Sequence, residues 1–125
     1  MIIGSGIDVV ENCRVERELS RAEWEPEQGV FSSGEIHFCT HSKKPALLFA
    51  TFFAVKEATL KALGIENTNL SHFHDVEVLP NEQGNLTVRL CGQSQLLSQR
   101  LGVHRASVAV TTNARLSGAI VVLES

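Results

Sequence analysis

Two carboxylates stand where apolar residues are expected. Asp8 lies inside Ile7-Asp8-Val9-Val10, and Glu57 lies in a helical stretch with Phe53, Ala54 and Leu60 at i−4, i−3 and i+3 on its own face. An ionised carboxylate in apolar surroundings is costly unless it is paired or holds a metal ion. Taken singly, each is most simply satisfied by an arginine or by backbone amides. Taken together, with lysines close by, they point to a shared metal site. Oxygen ligands favour Mg2+ or Mn2+ over zinc, and Mg2+ usually takes one or two carboxylates plus phosphate oxygens. Lys61 follows Glu57 by one turn, and the window 43–61 also holds Lys43, Lys44 and Lys56. A divalent ion beside several ammonium groups suits a reacting pyrophosphate, whose oxygens it neutralises as charge moves to the leaving group. By spacing alone a plain Glu57–Lys61 surface pair, worth roughly a few tenths of a kcal/mol, is the better reading.

The elements that must position these residues can be read from the pattern. Residues 2–10 are apolar and β-branched around two glycines, which predicts a buried strand. A short helix is expected over 11–23, and a second runs from Ser32 or Ser33 to about Cys39, with Glu35 placed to complete a capping box on Ser32. The helix over 45–63 has Pro45 in its first turn and Gly64 just past its end. Strands are expected over 76–79 and 86–90, joined by a turn at 81–85. A helix over 93–101 ends at Gly102, and strands over 106–111 and 116–123 form a hairpin through Asn113. Helices lie between strands that can pair antiparallel, so the class is α+β.

Composition narrows the function. The 125 residues argue for one domain, 1–125, able to hold a core without staples. A net charge of −3 gives no general attraction to nucleic acid or anionic membrane, so an anionic ligand must be held by local positive charge. Cys13, Cys39 and Cys91 show neither CxxC pairing nor zinc spacing and read as reduced thiols in a cytoplasmic protein. The opening MIIGSGIDVV lacks the basic region of a signal peptide, and no run reaches the length of a membrane helix.

Several motifs then become recognisable. GIDVVENCRV at 6–15, FSSGEI at 31–36, FAVKEATLKALG at 53–64, FHDVEV at 73–78 and the ending AIVVLES together resemble the holo-acyl-carrier-protein synthases, the small trimeric type of 4′-phosphopantetheinyl transferase. The resemblance runs in order over nearly the whole chain. It implies the fold of that superfamily, a small antiparallel sheet packed against a long central helix. It implies Mg2+ ligands at Asp8 and Glu57, and coenzyme A as co-substrate. Lys61 would contact the coenzyme A phosphates, with Lys56, Lys44 and Gly64 around the same ligand. Glu57 and Lys61 would be the catalytic pair, Glu57 removing the hydroxyl proton of a carrier serine directly or through a water. Arg14 would engage an acyl carrier protein, and the assembly would be a homotrimer.

The chain departs from the family pattern in places. Phe52 stands where members usually carry arginine, and Gly64-Ile65-Glu66 replaces a loop richer in glycine. The segment 16–27 holds Glu16, Glu18, Glu23, Glu25 and Glu27 against Arg17 and Arg21, where members are usually basic. An acidic face repels an acidic carrier. The departures imply an atypical carrier or, alternatively, a coenzyme A-binding paralogue without transfer activity. A metal-dependent phosphohydrolase is a third, more distant alternative. His72-Phe73-His74 could be alternate strand positions, expected to be solvent-facing histidines beside a core phenylalanine. His37 and His41 could share a helix face, and neither pair has a third zinc-type ligand.

Overall fold

The computed structural model describes residues 1–20, 29–66 and 68–125. The elements run β1 (Ile2–Glu11), α1 (Asn12–Leu19), α2 (Ser33–Thr40), α3 (Pro45–Ala62), α4 (Leu70–His74), β2 (Val76–Pro80), β3 (Leu86–Leu90), α5 (Gly92–Leu101), β4 (Arg105–Thr112) and β5 (Leu116–Glu124). β1, β5 and β4 form an antiparallel sheet in that order, and β2 and β3 form a separate hairpin. The class is α+β, and α3 lies against the three-stranded sheet.

α3 is apolar around most of its circumference, which is the pattern of a helix buried on nearly all sides. Phe49, Ala50, Phe52, Ala54, Val55, Ala58 and Leu60 are buried along it. Leu60 meets Phe73 and Val76, and the others meet Val121 and Leu123 of β5, Val78 of β2 and Phe31 ahead of α2. Pro45 opens the helix at its first position, and Gly64, at φ +81°, closes it in the left-handed conformation. Ser32 and Glu35 form the expected capping box on α2. The turn at 81–85 is held by the Asn81 side chain, which accepts from the N–H groups of Gln83 and Asn85.

The first helix is described as far as Leu19, where Ser20 Oγ donates to Arg17 O; its expected end at positions 21–23, and most of the acidic segment, lie outside the described residues. Two expectations need correction. His72 and His74 lie in α4, not a strand, and both are partly buried. A single turn of helix carries too little periodicity to be read from sequence. Finally, β1 is not buried on both faces. Ile7 and Val9 are 61% and 59% exposed, while Gly4, Gly6, Asp8 and Val10 turn toward α3. The strand is inverted, with glycine and aspartate inside and branched apolar residues outside.

Candidate active site

The inverted strand explains how Asp8 reaches α3. A Cβ on Gly4 would lie 2.2 Å from Ala62 O, and one on Gly6 would lie 1.9 Å from Ala58 O. Backbone therefore packs on backbone, which only glycine permits. Two strand residues advance about 6.8 Å and four helix residues about 6 Å, so each inward position of β1 meets the next turn of α3. Asp8 is the inward position after Gly6, and across the sheet it faces the small Ala119.

There its carboxylate meets the side chains of α3. Lys61 Nζ donates to Asp8 Oδ1 at 2.9 Å and to Ile7 O at 3.1 Å. Lys61 thus reaches across to the strand instead of serving merely as an i,i+4 surface partner of Glu57. Asp8 Oδ2 is buried and has no hydrogen-bond partner among the described residues. Glu57 is half-buried beside it. Burial pushes the Glu57 carboxyl above its usual range, and the Asp8 charge adds to that, while Lys61 and Arg14 pull it back. Arg14, exposed on α1, is therefore close enough to act on Glu57. The position of α1 is fixed by Asn12, whose Nδ2 donates to Asn113 O at 2.8 Å while its Oδ1 accepts from Ser117 Oγ at 2.6 Å.

The two carboxylates fit a hard divalent cation. An unpartnered buried carboxylate oxygen costs free energy unless something is bound to it, and a second carboxylate crowds the first. Among the described residues no group of three or more His, Cys, Asp or Glu side chains could hold a metal. Two neighbouring carboxylates without a third such ligand match the pattern usual for Mg2+, which takes one or two carboxylates together with water and phosphate oxygens.

Asp8, Glu57, Lys61 and Arg14 come together; Lys56 and Lys44 do not join them. Lys56 is fully buried and pairs with Glu35 Oε1 at 2.8 Å. Its ammonium also donates to Phe73 O at 3.0 Å and to Val76 O. One residue of helix turns the side chain by about 100°, which points Lys56 at α2 and β2 while Glu57 faces β1. Lys44 is at the start of α3, about 25 Å of helix away from Lys61. Gly64 stands at the same end as Lys61, exposed, with its N–H already donated to Lys61 O at 3.0 Å. Phe52 is fully buried and stacked on Phe38, so it belongs to the core.

Sequence reasoning missed Gly4 and Gly6 as spacers, although glycines two and four residues before an inward aspartate are a usable signal. It also missed Glu35 as the partner of Lys56. His74 Nε2 is buried and has no hydrogen-bond partner among the described residues.

Comparison with known proteins identifies the family. The family model described as the 4′-phosphopantetheinyl transferase superfamily matches residues 4–115. A holo-[acyl-carrier-protein] synthase of Klebsiella pneumoniae (strain 342) is 35% identical over 124 residues, covering 99% of this chain and 98% of that one. The fold is similar to the crystal structure of the Neisseria meningitidis holo-[acyl-carrier-protein] synthase, with a TM-score of 0.86 at 24% identity and full coverage of both chains. It is also similar to the Helicobacter pylori holo-[acyl-carrier-protein] synthase in complex with coenzyme A, with a TM-score of 0.80 at 25% identity over 96% of this chain and 99% of that one.

Proposed function

The chain belongs to the 4′-phosphopantetheinyl transferase superfamily, and from that premise we propose how its own residues carry out the transfer. It is an enzyme that moves the phosphopantetheine arm of coenzyme A onto an apo acyl carrier protein. The carrier serine oxygen forms a bond to the β-phosphorus, the bond from that phosphorus to the bridging oxygen breaks, and adenosine 3′,5′-bisphosphate leaves.

The observation that carries the reading is the unpartnered Asp8 Oδ2 beside Glu57. Asp8 and Glu57 would hold Mg2+, which when bound neutralises the pyrophosphate oxygens and stabilises charge on the leaving group. Lys61, bonded to Asp8 and half exposed, is free to turn toward a phosphate while staying anchored at its stem. The raised Glu57 carboxyl suits the acceptance of the serine proton, directly or through a water. Arg14 carries positive charge on α1 beside this centre, where the acidic surface of a carrier would be drawn in.

The same reading extends to assembly and partner. Ile7, Ile120 and Ala109 form one row across the outer sheet face, and Val9, Gly118 and Thr111 form the next. With Ile7 and Val9 largely exposed, this face supports burial against further copies of the chain, and a homotrimer is the assembly proposed here. Sedimentation velocity should give three times the 13.7 kDa chain mass. Exposed α1 alternates Arg14, Glu16, Arg17 and Glu18 rather than presenting a basic face, which supports an atypical carrier. Transfer to a housekeeping carrier at the same efficiency as to every other carrier would remove that refinement. Three free cysteines support a reducing, cytoplasmic setting.

Intact-protein mass spectrometry tests the function itself. Apo carrier incubated with the enzyme, coenzyme A and Mg2+ should gain one phosphopantetheine, and Glu57→Ala or chelation should abolish the gain. Coenzyme A binding with no gain on any of several carriers would establish the inactive paralogue instead.

A further inference from the structure

Lys56 neighbours the site in sequence but not in space, and its surroundings are closed. Its three donors meet Glu35 Oε1, Phe73 O and Val76 O. Glu35 in turn accepts from Ser32 N at 2.7 Å and from Val78 N at 2.8 Å. Both side chains are fully buried, and the Phe31 ring lies 5.8 Å from the ammonium. A tetrahedral ammonium with three fixed acceptors has one orientation. The bonds reach α2, α4 and β2, so the pair ties three elements to one point on α3.

We propose that the buried Lys56–Glu35 pair positions the metal centre: it fixes the rotation of α3 about its axis, and with it the direction in which Glu57 meets Asp8. Lys56 acts through Glu57 and touches neither coenzyme A nor the metal. On the opposite side of α3, Gly4 and Gly6 set the distance to β1 but offer no directional bond. Glycine-to-backbone contact tolerates a small roll of the helix, and the buried ion pair does not. A hydrophobic pair would fill the same volume as stably, yet it would remove the directional bonds that tie this face of α3 to α2, α4 and β2 and leave its exact rotation to side-chain packing alone. Partners outside the first ligand shell are known to control metal affinity, with losses of about 10- to 100-fold when they are removed.

The inference rests on the reading of Asp8 and Glu57 as metal ligands, and its test separates the two. Mn2+ is the probe, and its free concentration is followed by electron paramagnetic resonance, alongside steady-state transfer. The double variant Lys56→Met/Glu35→Gln removes both charges together, so neither is left buried alone. It should bind Mn2+ roughly 10-fold more weakly, with kcat reduced and KM for coenzyme A unchanged. Glu35→Asp keeps the charge but draws the lysine inward by one methylene, and it should show a smaller loss of the same kind. That milder variant decides the matter if the double variant does not fold. Val88→Ala, a core truncation in β3, controls for lost stability and should leave Mn2+ binding untouched. Unchanged Mn2+ binding in a folded double variant, or in Glu35→Asp, would overturn the proposal. So would a rise in KM for coenzyme A alone, which would make Lys56 a phosphate contact. If the wild type itself binds no Mn2+, or binds it regardless of Asp8, the underlying metal reading is what fails.

Discussion

α3 carries two lysine–carboxylate pairs on adjacent faces, and they are built to opposite ends. The Lys56–Glu35 pair is fully buried and every donor of the lysine has an acceptor. The Lys61–Asp8 pair has its lysine 49% exposed and leaves Asp8 Oδ2 without a partner. A satisfied network holds a shape, whereas an unsatisfied one has capacity for a ligand. In the reading proposed here the same two chemical groups serve as scaffold on one face and as site on the other, and what separates them is completeness of hydrogen bonding rather than residue type.

Substitutions can break this comparison, beginning with the largest effect. Glu57→Ala or Asp8→Ala should lower transfer by roughly 10³-fold, the scale seen when a group stabilising the transition state is removed. Neither should destabilise the fold, since each relieves a crowded, partly buried charge; thermal melts beside mass-spectrometric rates check both halves. Lys56→Met alone should cost about 3–5 kcal/mol of stability, because Glu35 is left buried and uncompensated. Lys61→Met should cost less than about 1 kcal/mol, as expected for a partly exposed pair, while transfer falls by about 10²-fold. Denaturant melts of these two variants test the contrast most simply, and equal stability losses would erase it.

Gly6→Ala sharpens the geometry. Its Cβ would lie 1.9 Å from Ala58 O, which is backbone and cannot turn aside. A loss of about 3 kcal/mol is expected, at the upper end for overpacking, along with weakened metal binding as Asp8 retreats with β1. Isothermal titration with Mn2+ would measure the second part.

The smallest effect concerns Cys39, beside the closed pair. Burial, and then the Glu35 charge, push its thiol well above the usual thiol range, up to about 12. The folded chain keeps this proton where the unfolded chain has lost it, so the cysteine's contribution is intact below about pH 9 and declines as pH rises toward 12. Cys39→Ala should flatten the alkaline fall in stability. In the native protein at pH 9, exposed Cys13 should react with a thiol reagent well before Cys39.

Much of this was legible in the sequence, and the residues show why the rest was not. The helix over 45–63 was marked by Pro45 and Gly64, and Asp8 and Glu57 stood out as carboxylates among apolar neighbours. Those signals are local, set by propensity, capping and pattern. What escaped was the direction of side chains that depend on distant partners. Lys56 and Lys61 look alike in FAVKEATLKALG, and only the packing of α2 and β2 against one side of the helix tells them apart. Lys44 caps the far end of the same helix, and the rise of that helix carries it away from Lys61. The exposure of Ile7 and Val9 contradicts their residue types, since β-branched apolar runs read as buried; their cover belongs to other copies of the chain in the reading proposed here. The short α4 left no periodic trace at all.

A crystal structure of the enzyme with Mg2+ and coenzyme A tests the central claim most directly. The account predicts the metal at about 2.1 Å from Asp8 Oδ2 and from a Glu57 oxygen, Lys61 turned to a phosphate, and Lys56 still bonded to Glu35. A metal held elsewhere, or Lys56 swung out onto the coenzyme, would contradict it.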